Sequence, residues 1–126
     1  MVGLVLVSHS ATLASGLVEL IKQLAPDVTV VTAAGTEDGR IGTSPDAVAA
    51  ALGSADSGDG VVVIPDLGSA VLSVRVALED APDDRTVLVD APFVEGAVSA
   101  AVTAGTGATL DEVVAAAEEA REIPKF

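Results

Sequence analysis

Four times along this chain a short run of aliphatic, largely β-branched residues gives way to a stretch whose apolar residues recur every three or four positions. The runs are 2–8, Val28 to Thr32, Val61 to Ile64 and Thr86 to Val89. Each is close to continuously apolar, the pattern of strands covered on both faces of a parallel sheet. The stretches between and after them predict helices over 11–24, from Ser44 through Ala55, and over 69–80, 93–104 and 110–121. Such an alternation is satisfied by parallel strands joined through right-handed crossovers, with helices on both faces. The expected fold is therefore α/β, an open doubly wound sheet, mostly parallel, with strand order 2-1-3-4. A chain of 126 residues suits one such domain over 1–126.

The helices carry their own signals. Leu13, Leu17, Leu20, Ile21 and Leu24 are expected to form the apolar face of the first, which Pro26 stops. Ser44, Pro45 and Asp46 read as N-cap, first residue and dipole-matched acid of the second, which buries Val48, Ala51, Leu52 and Ala55. Val71, Leu72, Ala77 and Leu78 supply the third, with Arg75 and Glu79 as a surface pair. Val94, Ala97, Val98, Ala101 and Val102 supply the fourth. Thr109 and Glu112 form a capping-box pattern before the last, which turns Val113, Val114 and Ala117 inward.

Composition removes several function classes. Nineteen acidic residues against six basic give a net charge of −13, which argues against nucleic acid and anionic membrane and is compatible with a basic protein partner. The N-terminal apolar run is short and follows no basic segment, so it reads as neither signal nor anchor, and a cytoplasmic protein is expected. One histidine and no cysteine leave little for a transition metal. Neither phosphate-loop nor dinucleotide glycine patterns are present, nor is a G-x-S-x-G elbow. No cofactor and no metal are expected.

What remains is His9, in the stretch Leu6-Val7-Ser8-His9-Ser10. Open α/β sheets bind ligands beyond the carboxyl ends of their strands, where the strand order reverses. With order 2-1-3-4 that point lies between the first and third strands, and His9 and Asp66 follow them. A neutral imidazole nitrogen can attack phosphorus and form a labile phosphoramidate. A carboxylate on the other ring nitrogen fixes the tautomer and orients the attack. The plainer roles are a cap or core-edge filler for His9 and a helix N-cap for Asp66. Ser10, the amides of residues 11 and 12, Thr43, Ser44, Gly68 and Ser69 lie where hydroxyls and free N–H groups suit phosphate oxygens, and ordinary capping explains each as well. Residues 33–43 are expected to form a loop at the same rim. Glu95 suits either a partner contact or the dipole of its own helix, and Gly105-x-Gly107 reads as a helix end and linker.

Leu6-Val7-Ser8-His9-Ser10, Gly42-Thr43-Ser44, Asp66-Leu67-Gly68-Ser69-Ala70 and Ala91-Pro92-Phe93-Val94-Glu95-Gly96-Ala97 together resemble the DhaM family. Its members are phosphoryl donors of bacterial dihydroxyacetone kinases, and their N-terminal domain is of the mannose-type IIA class. The resemblance implies that His9 is the phosphorylated residue, Asp66 its partner, and Thr43, Ser44, Gly68 and Ser69 parts of the surrounding loops. It implies a homodimer, phosphorylated by the carrier HPr, which passes the group to ADP on a DhaL subunit. DhaL in turn serves dihydroxyacetone held on DhaK. Longer members carry an HPr-like domain, for which this chain has no room, so a separate HPr is expected as donor. Two other readings stand beside this one. A mannose-type IIA component of a sugar transporter is a close relative. A receiver-like interaction module would need an acidic pair after the first strand and a later lysine. Ser8-His9-Ser10 replaces the pair, and the lysines are Lys22 and Lys125.

Overall fold

A computed structural model describes residues 1–126. In chain order the elements are β1 (Gly3–Ser8), α1 (Ala11–Leu24), β2 (Val30–Ala34), α2 (Pro45–Ala55), β3 (Val61–Pro65), α3 (Gly68–Asp80), β4 (Thr86–Leu88), α4 (Phe93–Gly105) and α5 (Leu110–Glu119). The strands form one parallel sheet in the order β2-β1-β3-β4, as the alternation predicts. β2 begins two residues later than its apolar run. Val28 is spent on the turn after α1, where its N–H donates to the Ala25 carbonyl, and its side chain joins the core.

β1 is central and wholly buried. Successive side chains of a strand point to opposite faces, so Leu4 and Leu6, with Val62 and Ile64 of β3, meet α1, α4 and α5. Val5 and Val7, with Val61 and Val63, meet α2 and α3. The helices present small residues to the sheet: Ala97, Ala100, Ala101 and Ala104 on α4, and Ala70, Val74 and Ala77 on α3. Small faces let the layers approach closely in a chain almost without aromatics. At Gly3 the approach is closest, since a Cβ there would stand 2.3 Å from the carbonyl oxygen of Ala55 at the end of α2.

The helix faces depart from their sequence reading. On α1 the core takes Ala14, Leu17 and Ile21 and leaves Leu13, Leu20 and Leu24 at 46, 45 and 53 % exposed. Leu72 on α3, and Val94 and Val102 on α4, are exposed too. The cause is an apolar arc wider than the contact. Positions 14, 17 and 21 and positions 13, 17, 20 and 24 are two stripes that share Leu17, and the sheet covers only one. Full burial of a leucine contributes roughly 1.5–3 kcal/mol, so the uncovered stripe would gain from being covered. Arg75 and Glu79 form no ion pair; those present include Arg121–Asp90 at 2.8 Å and Lys125–Glu95 at 2.9 Å, which tie the C-terminal residues to the start of α4 and the loop before it. No helix is long and apolar enough to cross a membrane.

Candidate functional site

β1 and β3 run side by side with Val7 opposite Pro65, and the Asp66 N–H donates to the Val7 carbonyl at 2.9 Å. This register sets His9 and Asp66, each just beyond its strand, against one another. The His9 ring meets the carboxylate through Nδ1 and Oδ1 at 2.9 Å. Oδ1 also accepts from the Leu67 N–H at 2.7 Å. Oδ2 accepts from the His9 N–H and the Ser8 hydroxyl, both at 3.0 Å. An ionised carboxylate only accepts, so Nδ1 carries the proton and Nε2 carries the lone pair. Ser69 on the first turn of α3 places Oγ 2.7 Å from Nε2, where its hydroxyl donates.

Burial pushes the Asp66 carboxyl up. The hydrogen bonds from the His9 amide, the His9 ring, Ser8 and Leu67 outweigh that and hold it below its ordinary 3.8. Asp66 is not a helix cap. The N-cap of α3 is Leu67, with no side-chain bond to the helix, and the carboxylate points at the imidazole instead. The side chains are 19 % exposed for His9 and 7 % for Asp66, so the ring is reachable while its partner is covered.

The other expected residues divide. Ser10 is the N-cap of α1, accepting from the Leu13 N–H at 3.2 Å, and Ser44 caps α2, accepting from the Ala47 N–H at 3.3 Å. Gly68 and Ser69 open α3. Thr43 reaches Ser73 on α3, hydroxyl to hydroxyl at 2.6 Å. Neither α1 nor α3 has an acidic residue in its first turn, so two helix starts with unpaired N–H groups and positive dipole ends flank the imidazole. The loop between β2 and α2 clasps the turn. Gly35 donates to the Ser8 carbonyl at 3.1 Å and Gly42 to the His9 carbonyl at 2.9 Å. Gly42 has φ 151°, and a Cβ there would meet Thr36 at 2.8 Å, so glycine is required. Glu95 is engaged with Lys125. Gly105 ends α4 and Gly107 follows with φ 83°, as a helix end requires. No group of three or more His, Cys, Asp or Glu side chains is placed to hold a metal ion.

Sequence reasoning assigned no role to Ser8 or Ser73. Ser73 stands four residues after Ser69, hence on the same side of α3, and that spacing was the available signal. Ser8 is a polar residue closing an apolar strand.

The EIIA-man family model, described as PTS system fructose IIA component, matches residues 3–114. A DhaM phosphoryl donor subunit of PEP-dependent dihydroxyacetone kinase 1 from Listeria innocua is 43% identical over 99 residues, 79% of this chain and 78% of its own. A DhaM phosphotransferase subunit from Lactococcus lactis is 35% identical over 88% of this chain and 89% of its own. The Escherichia coli K12 DhaM is 41% identical over 97% of this chain, which spans only 27% of that relative's length. Among solved structures, that of EF1359, described as a protein of unknown function, superposes with a TM-score of 0.85 at 37% identity, covering 94% of this chain and 95% of its own.

Because the folded-state pKa of Asp66 lies below its unfolded value, its contribution to stability is present above about pH 4 and is lost as pH falls through the folded pKa. Asp66→Asn is expected to be less stable than the parent at pH 6 and to converge with it towards pH 2, by roughly 1–2 kcal/mol. Urea midpoints measured across that range check it; a constant gap at all pH values contradicts it.

Proposed function

The chain belongs to the mannose-type family of phosphotransferase-system IIA components, and we propose that it is the phosphoryl-donor subunit of a phosphoenolpyruvate-dependent dihydroxyacetone kinase. The observation that carries the proposal is the imidazole held through Nδ1 by Asp66, with the Nε2 lone pair at the open edge of the sheet.

The chemistry follows from that arrangement. Nε2 attacks the phosphorus of a phosphohistidine on the donor protein. The new P–Nε2 bond forms as the donor's N–P bond breaks, and the donor ring keeps that electron pair. The ring of His9, now bearing positive charge, keeps its Nδ1–H against the Asp66 carboxylate, which stabilises it. The phosphoryl oxygens meet the Ser69 hydroxyl and the free amides opening α1 and α3, with Ser10, Thr43, Ser44 and Gly68 completing the rim. In the second step a terminal phosphate oxygen of ADP attacks the same phosphorus, the P–N bond breaks, and Nε2 recovers its pair. HPr serves as donor and ADP held on DhaL as acceptor, with dihydroxyacetone on DhaK as the final substrate, all in the cytoplasm.

Two surfaces support protein partners. Ile41 and Leu67, beside the loop clasp and Asp66, are 74 and 59 % exposed, an apolar rim suited to a protein face carrying a phosphoryl group. The stripe of Leu20 and Leu24 on α1 supports a second copy of this chain, giving a homodimer.

With enzyme I, HPr and phosphoenolpyruvate, the parent should take up one acid-labile phosphoryl group and His9→Ala none. Adding DhaL, DhaK and dihydroxyacetone should yield dihydroxyacetone phosphate. Uptake without that product would point to a sugar transporter instead; uptake by His9→Ala would sink the mechanism. Separately, sedimentation equilibrium should give twice the 12.4 kDa chain mass, falling towards one chain mass in Leu20→Glu. A parent that is already monomeric rejects the dimer.

A further inference from the structure

Ser8 is the one polar side chain among the fully covered residues, with no exposed surface at all. It ends β1, where each preceding residue is apolar or glycine. An alanine there would lengthen the core without any polar group to satisfy. A buried hydroxyl left unpaired costs about 1–3 kcal/mol, so its presence is informative only if its bonds are made. Both are. The hydroxyl donates to Asp66 Oδ2 at 3.0 Å, and its oxygen accepts from the Ser10 N–H at 3.1 Å. It thus joins the carboxylate to the residue on the far side of His9.

The tautomer of the ring depends on which neighbour discriminates between N–H and bare nitrogen. Ser69, at Nε2, does not: a hydroxyl donates to a lone pair or accepts from an N–H equally well. Asp66 does, because a carboxylate only accepts. The Nε2 lone pair therefore exists to the extent that Asp66 Oδ1 is aimed at Nδ1. The carboxylate turns about its own side-chain bonds, and three donors besides the ring oppose that turning: the amides of His9 and Leu67, and Ser8. The amides belong to the backbone and tolerate any side chain at position 8. Ser8 is the only side chain of the three.

We propose that Ser8 is a positioning residue for phosphoryl transfer, fixing the plane of the Asp66 carboxylate so that His9 keeps its proton on Nδ1 and its lone pair on Nε2. The proposal rests on the reading of His9 as the phosphoryl carrier. Its effect on the ring exists before any phosphoryl group arrives. Loss of the Ser8 bond also removes one of the groups that hold the Asp66 carboxyl low.

His9 is the only histidine, so protein labelled with ¹⁵N-histidine reports a single ring. In the full-length parent near pH 8 the two ring nitrogens should show the widely separated shifts of one tautomer, with the proton on Nδ1. In Ser8→Ala, and in Ser8→Cys, which keeps the side-chain shape with a larger and weakly donating sulfur, the two shifts should move towards each other. Phosphoryl uptake from phospho-HPr should slow by roughly tenfold or more, by analogy with the loss seen when the outer partners of a metal-bound imidazole are removed. Ring shifts unchanged from the parent in both variants overturn the proposal, even if uptake slows, because slowing would then come from loosened packing. Should Ser8→Ala fail to fold, Ser8→Cys gives the reading alone. The two readings separate: a parent that shows the Nδ1–H tautomer, loses it on Ser8 substitution and takes no phosphoryl group sinks the carrier function, and with it the transfer role of Ser8, while still showing that Ser8 sets the ring's tautomer.

Discussion

The site depends on one hydrogen bond, from Nδ1 of His9 to Oδ1 of Asp66 at 2.9 Å. It turns an imidazole with two equivalent possibilities into one with a proton at a known nitrogen and a lone pair at the other. Neither residue reaches the other by local geometry, since 57 positions separate them. The parallel pairing of β1 with β3 brings them together, and the hydrophobic cores on both faces of the sheet hold that pairing. The packing of Leu4, Val5, Leu6 and Val7 is in this sense a part of the chemistry. Slipping β1 by one residue would turn its side chains to the opposite faces and carry His9 away from Asp66.

Much of this is legible in the sequence because it depends on periodicity. Continuous apolar runs alternating with helical spacing give a doubly wound sheet with right-handed crossovers, and the order 2-1-3-4, chosen as the natural one for such a sheet and present in the structure, puts His9 and Asp66 at its switch point. Capping is local as well, so Ser10, Ser44 and the Thr109–Glu112 box stand where they are read. What escapes is contact between side chains far apart in the chain. The Thr43–Ser73 and Ser8–Asp66 bonds span 30 and 58 positions, and no spacing rule names such partners. The helix faces escape for a different reason. An arc of leucines on α1 wide enough for two stripes does not say which one the sheet takes, and small alanines on α3 and α4 proved more core-forming than the larger Leu72, Val94 and Val102.

The apolar side chains exposed at the rim of the site and the hydroxyls drawn inside it suit the same proposed role. A phosphoryl carrier, the role proposed for this chain, serves two proteins in turn. It needs a surface that other proteins cover transiently, and a reacting ring whose geometry no partner has to supply. The exposed Ile41 and Leu67 beside a pre-set imidazole meet both needs. The helix starts of α1 and α3, free of acidic residues, leave their positive ends unneutralised, as the proposed phosphoryl site requires.

The central claim is that Nε2, not Nδ1, bonds to phosphorus. NMR of the phosphorylated protein, labelled with ¹⁵N-histidine, tests it most directly, through the ring nitrogen that shows one-bond coupling to ³¹P. The account predicts coupling at Nε2, with Nδ1 still protonated and bound to Asp66. Coupling at Nδ1 would require the Asp66 bond to break during transfer, and would contradict both the orienting role of Asp66 and that of Ser8 behind it.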